Sequence, residues 1–133
     1  MSSAGQRSNA AVVTVVVTAH LLVNAAHGLV HWVIPVALTP FQFGYVLVVV
    51  GCGPLVALRY ARRGSEALAG AVLAASMVGS LLFGVAFHFV LSTPDHVHAV
   101  PVGAWHVHFE WTAVASAIVD AVGAVVGVRI WRA

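Results

Sequence analysis

Four long apolar stretches constrain the fold of this chain more than any other feature of its sequence. Each stretch is close to or above the ~20 residues with which an α-helix crosses the hydrocarbon core of a bilayer. A segment in lipid must satisfy its own backbone hydrogen bonds, so even the valine-rich run VVTVVV is predicted to be helical. The sequence therefore predicts an all-α fold, an integral membrane four-helix bundle that forms one domain over 1–133. The predicted helices cover about 10–38, 41–60, 67–91 and 105–130.

The composition agrees with a membrane protein and narrows its partners. Hydrophobic residues make up 61% of the chain and charged residues only 8%, whereas about a quarter of a typical soluble domain is charged. The basic sequence pI of about 9.3 rests on arginines at the ends of the apolar stretches, so it does not indicate a nucleic-acid partner. The lone Cys52 excludes an internal disulfide. The expected partner is the lipid bilayer, with a larger membrane complex or a homo-oligomer left open.

The arginines predict the orientation of the bundle. They lie before the first stretch, after the second and at the end of the fourth, and in a chain with four spans these places share one side of the membrane. The positive-inside rule makes that side cytoplasmic, so both termini are predicted to be cytoplasmic in a multi-pass protein of the plasma membrane. The six residues are Arg7, Arg59, Arg62, Arg63, Arg129 and Arg132.

The histidines are concentrated toward the opposite, outer side, and they predict a metal site there. Two pairs, His27 with His31 and His106 with Glu110, have the i, i+4 spacing that places both side chains on one helix face. His88 lies about one turn below the outer end of the third stretch. Imidazole and carboxylate groups bind zinc, copper and iron, and an ionisable residue within a span indicates a functional site. The candidate metal ligands are His27, His31, His88, His106, His108 and Glu110.

Several functions are compatible with such a site. Copper is the first candidate cofactor because an outward-facing histidine cluster suits it, and zinc and iron remain open. The expected function is redox, either electron transfer or oxidation, and whether the chain is itself an enzyme or a subunit of a larger complex is left open. The alternative cofactor is haem b, which needs two histidines on facing helices at the same depth. His88 with His27 or His31 is the best such pair.

Three further interpretations do not require redox chemistry. His20 and Asp120 are predicted to meet in the middle of the membrane, where they form either an interhelical hydrogen bond or a proton relay for conduction. The outer loop carries His96 and His98, which are either solvated residues or the collecting point of a metal-delivery protein. The last alternative is a purely structural membrane subunit whose histidines pair with one another.

Overall fold

The computed structural model describes residues 3–34 and 36–133, with side chains from Ser8 onward. Regular structure in this part of the chain is entirely helical, without a strand, so the predicted all-α fold is confirmed. Each helix contains a segment long and apolar enough to cross a membrane, as predicted. The helices are α1 (Ser3–Val33), α2 (Pro40–Arg62), α3 (Glu66–Val90) and α4 (His106–Arg132).

Helix α1 ends earlier than the sequence predicted, so the connection from α1 to α2 contains less helix. Helix α1 ends at Val33 rather than near residue 38, because the residue before a proline disfavours helical backbone. That proline, Pro35, lies outside the described residues. A capping box then starts α2: the Thr39 hydroxyl accepts from the Gln42 N–H at 3.2 Å, and the Gln42 side-chain oxygen accepts from the Thr39 N–H at 2.8 Å.

Helix α2 contains a π-helical segment, Val46–Cys52, which Pro54 explains. Proline has no N–H to donate to the carbonyl of Val50 four residues earlier, and its ring crowds that carbonyl. The neighbouring Gly53 N–H instead donates to the Val48 carbonyl, five residues back. The Val50 carbonyl is therefore free to accept a hydrogen bond from another helix.

Small residues bring the helices into close contact in the half of the bundle where α1 begins and α4 ends, the inner half. A Cβ added to Gly127 of α4 would lie 2.5 Å from the backbone nitrogen of Ala74 and 2.9 Å from the Gly70 carbonyl oxygen of α3. Such contact between backbones is typical of helices packed in membranes. The apolar core of this half includes Val13, Val17, Ala57, Leu73, Met77 and Ile130.

The other half of the bundle, the outer half, is more open. Helix α2 packs on α1 mainly through its inner part, Gly53–Arg62, and a cavity of about 780 Å³ lies among the four helices above that contact. The loop between α3 and α4 folds back over the outer end, where Val97 and Val100 are buried against Val30 and Phe109. The fold therefore combines a solid inner half with a hollow, capped outer half.

Candidate metal centre

Three imidazoles converge in the outer half, and we call them the three-histidine group: His27, His31 and His88. The Nε2 atom of His27 lies 3.1 Å from the Nε2 atom of His88 and 3.1 Å from that of His31. One ligand atom from each ring lies within 4.8 Å of the others. The structure thus brings together three of the six predicted ligands, from two different helices.

Local features of the chain place these rings. His27 and His31 stand one turn apart on α1, as their spacing predicted. His88 lies in a π-helical turn, Ala86–Val90, which ends α3 with a hydrogen bond from the Leu91 N–H to the Ala86 carbonyl at 2.7 Å. Single π turns of this kind are frequent at functional sites.

Hydrogen bonds on the far side of two rings determine which nitrogen carries the proton. The Nδ1 atom of His88 lies 3.0 Å from the backbone carbonyl of Asp95, which can only accept, so Nδ1 carries the hydrogen. Thr112 donates its own proton to the His108 carbonyl at 2.7 Å, so it accepts from the His27 Nδ1–H at 2.8 Å. Both Nε2 atoms are therefore unprotonated in neutral rings. Two lone pairs then face each other across 3.1 Å, which is unfavourable unless a cation lies between them.

A buried carboxylate completes the surroundings of the three-histidine group. Asp95 is 3% exposed, and its Oδ1 atom lies 3.3 Å from His31 Nε2 and 3.5 Å from His88 Nδ1. Within the described residues, that oxygen and the Nδ1 atom of His31 are buried without a hydrogen-bond partner. Unpaired buried charge is costly, so Asp95 is a natural fourth donor for a cation here. Asp95 was not among the ligands predicted from the sequence, although acidic residues number only four in the chain.

Phe109 and the cavity enclose the site from different directions. Phe109 is fully buried, and its ring centroid lies 5.1–5.5 Å from those of the three imidazoles. The three imidazoles also line the cavity, where Gly28 leaves room because nothing lies within 4 Å of a Cβ built on it. The three-histidine group therefore forms part of the cavity wall. The apolar part of the wall includes Val36, Leu38, Phe43, Val46, Leu81 and Phe83.

The remaining predicted ligands lie apart from the three-histidine group. His106 and Glu110 pair with each other at 3.3 Å, with the i, i+4 spacing read from the sequence. His108 is exposed and donates to the backbone carbonyl of Ala104, in the loop just before α4. In the loop, the His98 N–H donates to His96 Nδ1 at 3.1 Å, so these two histidines contact each other. Among the described residues, none of these side chains belongs to the group that could hold a metal.

A second buried polar site lies about two helical turns below the three-histidine group. His20 and Asp120 meet as predicted, with Nδ1 2.6 Å from Oδ1, and both side chains are buried. The Nε2–H of His20 donates to the Val50 carbonyl at 2.9 Å, the carbonyl that Pro54 leaves free. The hydroxyl of Ser80 donates to the second carboxylate oxygen of Asp120 at 2.5 Å. Each of these four groups comes from a different helix, so this site ties all four helices together.

The described residues therefore offer two polar sites along one cavity: a three-histidine group that could hold a metal ion, and a hydrogen-bonded His–Asp pair. The first provides three imidazole donors, two of them with proton positions set by hydrogen bonds, and the second provides a buried, hydrogen-bonded His–Asp pair. Comparison with known protein families, with characterised proteins and with solved structures finds no match to this chain.

Proposed function

We propose that this chain is an integral membrane metalloprotein that binds one divalent transition-metal ion through His27, His31 and His88, with Asp95 as a further donor. The observation that carries the proposal is the 3.1 Å separation of the His27 and His88 Nε2 atoms, whose lone pairs point inward, with the His31 Nε2 atom at the same distance from His27. At metal–nitrogen distances of about 2.0–2.1 Å, two ligands of a tetrahedral ion lie roughly 3.3 Å apart. The arrangement is close to that of a loaded site.

The donor set favours a borderline metal. Three neutral imidazoles and one carboxylate suit Zn²⁺, Cu²⁺ or Fe²⁺ rather than a hard cation such as Mg²⁺. Copper remains our first proposal because a given nitrogen and oxygen site binds Cu²⁺ more tightly than the other divalent ions of the first row. The Asp95 carboxylate compensates part of the charge, which supports a cation in this buried position.

The cavity supports a reactive centre rather than a closed structural one. Catalytic metals keep a position for substrate; beyond the three imidazoles and Asp95 this would be a fifth position, next to a space of about 780 Å³, a volume typical of small-molecule sites. Much of the wall is apolar, and the exposed Trp32 and Phe43 lie at its edge. We propose a redox reaction at copper or iron, acting on a small, mainly apolar molecule that enters from the bilayer.

Haem is less well supported than a single ion. The axial nitrogens of a bis-histidine haem lie roughly 4 Å apart, twice the usual metal–nitrogen distance, on opposite faces of the porphyrin. The His27 and His88 nitrogens are closer than that, and the His31 Nε2 atom lies at the same 3.1 Å from His27 Nε2. Three rings converging on one position favour an ion.

Metal analysis of the purified protein tests the proposal. Protein in lipid nanodiscs is equilibrated with copper, zinc or iron, desalted and analysed by mass spectrometry together with its absorption spectrum. We expect one metal ion per chain, bound at least tenfold more weakly by His88→Ala and unchanged in the loop control His98→Ala. Full binding by a folded His88→Ala would contradict the site. Zinc as the single tightly bound metal would contradict the redox activity. A Soret band would show that the site binds haem instead of a single ion.

A further inference from the structure

The His20–Asp120 pair holds one proton that two atoms share. The Val50 carbonyl can only accept, so the Nε2 atom of His20 carries a hydrogen. Across the 2.6 Å between Nδ1 and Oδ1, a second proton lies either on the ring or on the carboxyl group. The pair is electrically neutral in both cases, because imidazolium with carboxylate and imidazole with carboxylic acid have the same total charge. The shared proton can therefore move between the two residues without placing net charge in the hydrocarbon region.

The pair has access to the cavity. Asp120 and Ser80 both line it, together with the three-histidine group. On α4, Thr112, Ser116 and Asp120 are spaced one turn apart, and so they form a polar stripe from the hydrogen-bond partner of His27 down to the pair. The Ser116 hydroxyl lines the cavity and is buried without a protein partner in the described residues. An unpaired hydroxyl in a cavity of this size is a binding position for water, which would extend the stripe into a path for protons.

In the other direction the pair is closed off. Toward the inner end, the buried polar side chain that follows the pair within the described residues is Ser76, one turn beyond Ser80 on α3. The other buried side chains of this core are apolar, among them Val13, Val17, Leu73 and Met77. Protons can therefore reach the pair from the cavity and not across the bundle, which argues against proton conduction.

We propose that the pair is a proton donor and acceptor for chemistry in the cavity. This use rests on the proposed metal-dependent function, because oxidation or reduction of a molecule with hydroxyl or carbonyl groups releases or takes up protons. When the pair donates, the O–H bond of Asp120 breaks and the proton passes to the bound molecule or to a cavity water. The pair then carries one negative charge until a cavity water returns a proton. His20 and Ser80 position the carboxyl group and supply the hydrogen bonds that stabilise this charge.

Hydrogen exchange at His20 separates this role from a static interhelical contact. Protein with ¹⁵N-labelled histidine is placed in lipid bilayers and transferred to D₂O, and the loss of the His20 N–H signals is followed by solid-state NMR. We expect exchange at least tenfold slower in Ser116→Leu, which fills the polar stripe, than in wild type. The control Val114→Leu changes a partly exposed residue of the same helix and should leave the rate unaltered. Equal rates in all three proteins, or no exchange in wild type, would overturn the proposal.

Two measurements keep the result independent of folding and of the metal site. Metal content is determined for each sample, so loss of the metal centre is distinguished from loss of proton access. Proteoliposomes with a pH gradient report conduction directly, whether or not Ser116→Leu folds. We expect the gradient to decay no faster than in protein-free vesicles. A faster decay that Asp120→Asn abolishes would show that the pair serves a path across the membrane instead.

Discussion

At the scale of single residues, Thr112 and Asp95 determine what the histidine rings can bind. Each accepts a hydrogen from an Nδ1 atom, Thr112 through its hydroxyl and Asp95 through its backbone carbonyl. The Nε2 lone pairs of His27 and His88 are thereby directed inward. Such outer partners of metal-bound histidines orient the rings and increase their basicity.

The role of Thr112 gives a prediction. Thr112→Val keeps the shape of the side chain and removes the acceptor for His27, so the ring loses its fixed orientation. We expect metal affinity to fall by about 10- to 100-fold, the usual effect of removing such a partner, as measured by competition with a calibrated chelator. Thr14→Val is the matched control, because its hydroxyl donates to the Ala10 carbonyl in the inner half. An unchanged affinity in Thr112→Val would mean that the His27 tautomer is set by the metal alone.

The site could be predicted only where helical spacing carries the information. The i, i+4 spacing and the similar depth in the membrane predicted that His27, His31 and His88 lie close together, and in the structure they do. Spacing does not reveal how far α4 is rotated about its axis. The structure turns Phe109 toward the rings, and Glu110 follows it about 100° around the helix, away from them. Asp95 lies in a loop, where the sequence has no periodicity, so its position beside the histidines could not be predicted from spacing.

At the scale of the helices, small residues decide how closely neighbours approach, and a proline decides where regular hydrogen bonding stops. The apolar stretches predicted the existence of the helices, but no pattern of hydrophobicity marks the π-helical segment Val46–Cys52. Pro54 is its sequence signal, and the consequence is visible only in three dimensions. The carbonyl that Pro54 leaves unpaired becomes the acceptor for His20, 30 positions away in the chain.

The contact between α3 and α4 gives a prediction at this scale. Gly127→Ala would place a methyl group 2.5 Å from the Ala74 nitrogen, and backbone cannot move aside as a flexible side chain can. We expect the free energy of unfolding to fall by roughly 1–3 kcal/mol, the usual cost of overpacking, in reversible denaturation in detergent. Gly44→Ala is the matched control, since nothing lies within 4 Å of its added Cβ. Equal stability of both variants would show that the two helices separate at little cost.

At the scale of the whole molecule, the two halves of the bundle have different tasks. The inner half is filled by apolar and small residues, and it provides rigidity. The outer half contains the cavity, the three-histidine group and the loop that covers them. The overall class of fold followed from the apolar stretches because lipid allows so few structures. The hollow outer half could not be predicted from the apolar stretches, because a cavity forms where the side chains of all four helices together fail to fill a space.

The orientation of the bundle is the last prediction, and it decides from which side metal reaches the site. The five arginines with described side chains are exposed and lie at the inner end, so we propose that this end is cytoplasmic and that the loop over the three-histidine group faces outward. In a Cys52→Ser background, a cysteine replacing Val102, which is 93% exposed in that loop, should react in intact cells with a membrane-impermeant thiol reagent. Arg63→Cys, at the exposed inner end of α2, should react only after lysis. The opposite pattern would place the loop and the metal centre on the cytoplasmic side, where the cell's own metal carriers would supply the ion.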